Sequence, residues 1–373
     1  MAIKEQQARA VIEQAVGKII NLCVVPDGYL ALADTKDGQR VAVVYGKECP
    51  MVKYWKAEQN LQQDGLDVAV LPLNANNAAL VRHFVKWTAP SACGTRGVSV
   101  GITDGEAGVA AGVVGEFQNR QMKPVLVDCT PGVLADLQRN YLNAVDDATW
   151  GVLAANYRDG YGANAAGLTT EEEIVKALLY NYSMIGFDPS GKISQENAKL
   201  DDGAIEKKFE EFPIEFQAAV NASYLKVEFQ AGKYKISFRP EEVRRIVLEY
   251  GEVIMHTQFI YNSYFKSTPW PVDFMLELRR PGRALTVQEH YLIANELQRN
   301  GIRMATLLLD ARDGMTEEEL AIHAAIADTF EYRLAIDHAD EGLNPAALLK
   351  AAKYHAAHFK VPAGRVQEFL KKI

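Results

Sequence analysis

From about residue 97 the hydrophobic positions fall into short, near-continuous runs, each ended by polar or Gly residues and each followed by a stretch of helical period. The runs are VSVGITDG, KPVLVDCT, WGVLAANY, SMIGFDPSG, VDFMLELRR, IRMATLLLDAR, YRLAIDHAD and AAHFKVPAG. Continuous apolar runs suit parallel strands buried on both faces, against helices outside and a packed interior within. The succession predicts an α/β fold, a (β/α)8 TIM barrel. An open doubly wound sheet alternates strands and helices in the same way, and only the number of units favours the barrel. No G-x-G-x-x-G follows the first run, and no G-x-x-x-x-G-K-[ST] phosphate loop is present.

Residues 1–90 read as an N-terminal α+β layer in the order helix, β-hairpin, helix, strand, helix. Two β-rich runs of LCVVPDGYLALADTKDGQRVAVVYG flank the turn-forming TKDGQ. KWTAPSACGTRG joins this layer to the barrel, taken as residues 91–373. Between the fourth and fifth units, YLKVEFQAGKYKISF reads as a hairpin with an Ala-Gly turn. RPEEVRRIVLEYGEVIMHTQFIYNSYF then reads as a long helix starting at Pro240, which makes residues 190–267 an inserted hairpin-helix segment.

A chain of 373 residues, 48% hydrophobic and 24% charged, has the composition of a globular protein with a large core. A net charge of -8, a pI near 5.5 and no clustered Lys/Arg stripe argue against a nucleic-acid partner. The N-terminal MAIKEQQARAVIEQAVGKII mixes charges into a helical period, unlike a secretory signal or a bilayer span, so a cytoplasmic protein without a membrane partner is expected. Cys23, Cys49, Cys93 and Cys129 form no CxxC pair and are expected as free thiols.

A TIM barrel carries function at the C-terminal ends of its strands. Among the polar residues ending the runs, Asp188, Glu277, Asp337, His338 and Lys360 are the catalytic candidates, since carboxylate, imidazole and ammonium groups serve proton transfer. Asp104, Asp128, Asn156, Arg279, Asp310 and Arg312 are the substrate-binding candidates. Asp337 and His338 are adjacent, so alternation along a strand lets only one of them point into the mouth. Lys360, followed by VPAGR, suggests an anion site and is also the one strand-end lysine for a Schiff base; a solvated strand-end charge is the plainer reading. His290 and His323 lie in helical patterns and are expected to pack against the barrel, and Cys129 reads as a small buried hydrophobe.

HYLIANELQRNGI (290–302), LAIHAAIADTFEYRLAI (320–336), GYGANAAGLTTEEEI (160–174) with its downstream FDPSG, and FKVPAGRVQEFLKKI (359–373) resemble the tagaturonate epimerase family from about residue 95 onward. The resemblance implies a barrel enzyme that interconverts tagaturonate and fructuronate with a divalent metal. Against the family's G-A-D-A-D-H-L-K-T, this chain has Asn164, Ala166, Gly167 and Thr169 in place of the Asp, Asp, His and Lys. The family's Asp-Glu after the fifth strand falls on Arg280 and Pro281, and its His-Ser-Gly-Ser-Asp-Lys after the seventh falls on Asp337 through Gly342. Asp337 alone is left to ligate, so no metal-binding residues are assigned and the cofactor stays open. Two functions follow: a sugar or sugar-acid epimerase or isomerase with a rebuilt site, or a catalytically inactive relative that binds a carbohydrate or a protein. The second predicts a mouth filled by ion pairs, for example Arg279, Arg280 and Arg312 with Asp310, Asp313 and Asp337.

Overall fold

The computed structural model describes residues 4–47, 54, 57–63, 65–105, 112–280, 282–310, 312, 314–341, 344–353 and 356–373. Cys49, Pro281, Asp313 and Gly342 lie outside the described residues, as does most of the stretch where the second N-terminal helix is expected.

After a first helix, Glu5–Ala15, the chain forms an antiparallel sheet of β1 (Gly17–Val25), β2 (Gly28–Thr35), β3 (Arg40–Gly46), β4 (Gln59–Gln63) and β5 (Leu66–Leu71), in the order β1-β2-β3-β5-β4. The single expected hairpin is therefore part of a five-stranded sheet. Gly28 permits the close approach of β2 to β3, because a Cβ there would meet the Tyr45 carbonyl oxygen at 2.3 Å. One face of the sheet packs under the first helix through Ala8, Val11 and Ile12, and the other meets the helix Ala75–Phe84 and barrel residues Trp150 and Leu153. Arg82 anchors that second contact, donating from Nη1 to Asp146 at 2.8 Å and Thr149 at 2.9 Å, both on the barrel helix Tyr141–Ala155.

Eight parallel strands close the barrel: β6 (Gly97–Ile102), β7 (Met122–Cys129), β8 (Gly162–Leu168), β9 (Met184–Phe187), and, after an added hairpin of β10 (Phe229–Ala231) and β11 (Tyr234–Ile236), β12 (Asp273–Glu277), β13 (Thr306–Asp310), β14 (Arg333–Asp337) and β15 (Ala356–Val361), which pairs back onto β6. The hairpin turns on Gly232 and Lys233, one residue later than expected, with Gly232 at φ 55°. Two helices, Asp202–Glu210 and Ile214–Tyr224, precede it, and the helix Pro240–Ile260 follows. Several helices start where Thr-x-x-Glu closes a capping box: Thr170 with Glu173, Thr286 with Glu289 and Thr316 with Glu319.

The third strand is not WGVLAANY, which lies mostly in the helix Tyr141–Ala155. Its apolar residues continue a helical stripe of Tyr141, Ala144, Val145, Ala148 and Val152. The true third strand, GANAAGL, consists almost entirely of small residues and has no bulky apolar run to mark it.

Behind the barrel wall, His290 Nδ1 and His323 Nδ1 share a hydrogen bond of 2.7 Å, and His290 Nε2 pairs with the Tyr332 hydroxyl. Burial holds both imidazoles well down, His323 to about 4. Their folded pKa lies below the unfolded value near 6.5, so on acidification the unfolded chain binds protons first and stability falls. Carboxylates held low, such as Asp128 and Asp310, lose their contribution only below about pH 4, which leaves the higher window to the histidines. Urea denaturation is expected to show a loss approaching about 1.4 kcal/mol per pH unit per buried histidine as the pH falls from about 6.5 to 5; a flat profile there contradicts neutral burial.

Candidate active site

The barrel interior is built by alternation along the strands. Asp273, Met275 and Glu277 point inward from β12, Thr306, Leu308 and Asp310 from β13, and Arg333, Ala335 and Asp337 from β14. At the floor, Asp273 accepts from the backbone N–H groups of Cys93 (2.6 Å) and Gly94 (3.0 Å), so the segment that joins the two layers also seals the barrel. Above it lies an apolar layer of Met184, Met275, Leu308 and Ala335. On the opposite wall, polar side chains run at the same depth: Ser99 on β6, Asp128 on β7, Asn164 on β8 and His358 on β15, all buried.

Asp128 is the hub of that wall. Its Oδ2 lies 2.7 Å from His358 Nε2, while its Oδ1 accepts from Asn164 Nδ2 at 2.8 Å and lies 3.2 Å from Lys360 Nζ. Glycines make the room. A Cβ on Gly101, the residue paired with Lys360, would stand 1.8 Å from Asp128 Oδ2, and one on Gly186 would stand 2.2 Å from Glu277 Oε1. Burial by itself would raise the Asp128 pKa, but Lys360 and His358 beside it hold the carboxyl well below the usual carboxylate range. Burial would likewise discharge Lys360, yet Asp128, Glu277 and Asp337 hold its pKa above the ordinary lysine value. A Schiff-base role needs the reverse, an amine uncharged near neutrality, which these acids oppose. The plainer expectation of a solvated strand-end charge is corrected, since Lys360 is buried among them.

Toward the mouth the charges continue in a chain. Lys360 Nζ is 3.8 Å from Glu277 Oε1; Arg279 Nη2 donates to Glu277 Oε2 at 3.0 Å, and its Nη1 reaches Asp337 Oδ2 at 2.9 Å. Asp337 pairs in register with Asp310, which Arg312 holds through Nη2 at 3.0 Å. His338 takes a left-handed backbone, φ 51°, at the end of β14. Alternation ends there, so both members of the pair reach the mouth: His338 Nδ1 is 3.3 Å from Asp310 Oδ1 and 3.6 Å from Asp337 Oδ1. Glu277 Oε1, Asn164 Oδ1 and His338 Nδ1 are buried atoms without a hydrogen-bond partner.

Ten of the eleven candidate residues end strands or lie in the turns after them, and eight join this network: Asp128, Glu277, Arg279, Asp310, Arg312, Asp337, His338 and Lys360. Asp188 instead accepts from Ser190 N at 2.8 Å within the turn after β9, and Asp104 accepts from Ala363 N at 2.7 Å, tying the end of β6 to the turn after Lys360. Asn156 is the exception. It is the left-handed C-cap of the helix Tyr141–Ala155, φ 50°, and precedes β8, which puts it at the end of the barrel away from the mouth; the misplaced third strand is the reason. Arg280 also leaves the mouth, pairing with Glu249 and with Glu289 at 3.2 Å behind the wall. Cys129 is buried, and burial pushes its thiol up to about 12, as suits a packing residue. Sequence reasoning missed Ser99, His358 and Arg333 and named Asn164 only as a replaced position. The available signal was a polar residue two places before a strand-end candidate, as His358 stands before Lys360 in AAHFKV.

The sequence profile of the tagaturonate epimerase family matches residues 24–360. A tagaturonate/fructuronate epimerase from Thermotoga maritima is 24% identical over 348 residues, covering 90% of this chain and 71% of that protein. The native crystal structure of a fructuronate-tagaturonate epimerase from Cohnella laeviribosi superposes with a TM-score of 0.83 at 25% identity, covering 98% of this chain and 76% of that one. Its complex with one glycerol superposes with a TM-score of 0.84, covering 96% and 75%.

Proposed function

The chain belongs to the tagaturonate epimerase family, and on that premise we propose that its barrel mouth binds a keto sugar acid such as fructuronate or tagaturonate and inverts one of its carbons. Inversion opens a bond at that carbon and remakes it on the other face, and negative charge builds on a neighbouring oxygen as the bond opens. The observation that carries the reading is a fixed ammonium beside a free carboxylate oxygen: Lys360 Nζ stands 3.8 Å from Glu277 Oε1, which has no hydrogen-bond partner. Glu277 takes the proton of the hydroxyl on that carbon as its bond to the carbon beside the keto group breaks, leaving a carbonyl and an enolate whose oxygen Lys360 stabilises. The carbonyl turns its other face before the bond re-forms and Glu277 returns the proton, while Arg279, about one-third exposed, binds the sugar carboxylate. No helix among the described residues is long and apolar enough to cross a membrane, and we place the reaction in the cytoplasm.

The divalent metal implied by the family has a fitting donor set in Asp310, Asp337 and His338, whose ligand atoms lie within 4.8 Å of one another. The unpartnered His338 Nδ1 supports the fit, and the set enlarges the single ligand, Asp337, expected from the sequence. Bound there, a metal would polarise a carbonyl or hydroxyl oxygen of the sugar. Arg312 competes for Asp310, so Arg312→Met is expected to tighten Mn2+ binding, read by calorimetry, by about tenfold; unchanged affinity would remove Asp310 from the donor set.

A second reading, binding without turnover, is favoured by the Arg279–Asp337 and Arg312–Asp310 pairs that already neutralise the mouth. Incubating the protein with fructuronate, with and without Mn2+, and following the sugar by proton NMR separates the two. Appearance of the epimer supports the enzyme; a thermal shift without conversion supports the inactive relative; neither sinks both.

A further inference from the structure

Four buried groups below the mouth are joined in a line that runs one way. Arg333 Nη1 lies 2.5 Å from Ser99 Oγ, Ser99 Oγ lies 2.8 Å from His358 Nδ1, and His358 Nε2 lies 2.7 Å from Asp128 Oδ2. A guanidinium only donates, so Ser99 Oγ accepts from Arg333. An ionised carboxylate only accepts, so His358 Nε2 carries a hydrogen toward Asp128. The single hydroxyl hydrogen of Ser99 is then the one available to fill the space between Oγ and a bare His358 Nδ1. Full burial lowers the pKa of the ring, and the cations Arg333 and Lys360 on either side add to that effect against the opposing pull of the Asp128 carboxylate, in keeping with a neutral ring.

We propose that Arg333, Ser99 and His358 form a directional hydrogen-bond relay that fixes His358 as the neutral Nε2–H tautomer and so locks the Asp128 carboxylate in the orientation that aims Lys360 at the bound sugar acid. His358 and Ser99 are positioning residues, since neither reaches the mouth. Asp128 has two oxygens to place: His358 holds Oδ2, and this leaves Oδ1 facing Asn164 and Lys360. A ring flipped to the Nδ1–H tautomer would turn a lone pair onto the carboxylate, and Asp128 would rotate away and release Lys360. Gly101 completes the lock by leaving the space that Oδ2 occupies. The inference rests on the proposed sugar-acid site for its ligand, but not for its tautomer.

Full-length protein labelled with 15N at histidine provides the test, because long-range 1H–15N spectra distinguish the two neutral tautomers from the imidazolium. The His358 signals are those lost in His358→Gln. The expected result at neutral pH is the Nε2–H tautomer; the Nδ1–H form or an imidazolium overturns the relay. Glutamine presents an N–H to Asp128 and an oxygen to Ser99, whereas leucine presents neither. Fructuronate affinity in His358→Gln is therefore expected within about threefold of the parent, and in His358→Leu weakened by at least about tenfold. Equal affinity in the two variants overturns the positioning role. The expected tautomer in a parent protein that binds no fructuronate overturns the proposed ligand and leaves the relay standing.

Discussion

Lys360→Met is expected to destabilise the protein by about 3–5 kcal/mol and to abolish fructuronate binding, because it strips two fully buried carboxylates, Asp128 and Glu277, of the cation between them. Methionine preserves most of the apolar stem, so the loss reports the charge rather than the packing. His358 is the nearest group able to take up a proton in compensation, at 2.7 Å from Asp128. The variant should accordingly recover part of its relative stability as the pH is lowered from about 8 to 6, in the range where a histidine near a bare carboxylate gains its proton. Adding Glu277→Gln to Lys360→Met is expected to recover little, since Glu277 keeps Arg279 at 3.0 Å and Asp128 remains the acid that most needs the ammonium. Guanidinium denaturation of the three proteins decides the matter. A loss under about 1 kcal/mol for the single variant would mean that the ammonium is paired with solvent and not with the two acids.

Gly101→Ala is expected to lose about 3 kcal/mol or more, a large effect for one methyl group. The added carbon would stand 1.8 Å from Asp128 Oδ2 and 2.7 Å from its carboxyl carbon, so the side chain must rotate and surrender its bonds to His358 and Lys360. Lys360 then loses its fixed direction, and fructuronate binding falls with stability. Gly251→Ala is the control. It lies within the helix Pro240–Ile260 with nothing within 4 Å of its Cβ position, and alanine there should be neutral or slightly stabilising. Equal behaviour of the two alanine variants in thermal unfolding would show that Asp128 can move freely, contrary to its closed set of partners.

The barrel was legible because its strands are buried on both faces and so appear as unbroken apolar runs, as in TLLLD of β13 and RLAID of β14. The third strand was not, because GANAAGL packs through small residues that leave space for side chains such as Thr130 and Glu277, and small residues carry no period. That one misplacement carried Asn156 into the expected site and kept Asn164 out of the interior. Most strand-end candidates did meet, since chain order through a barrel brings every strand's C-terminal end to one face.

From residue order alone came the fold class, the family and the face of the barrel that carries chemistry, because each depends on local patterning that repeats along the chain. Only the closed barrel decided which groups touch. Asp128 and His358 are 230 positions apart in the chain and 2.7 Å apart in space; His338 turns back on Asp310 through one left-handed residue; Lys360 is held charged by acids from three other strands. Charge state and direction at a buried site are set by neighbours across the barrel, and no spacing along a single strand encodes them.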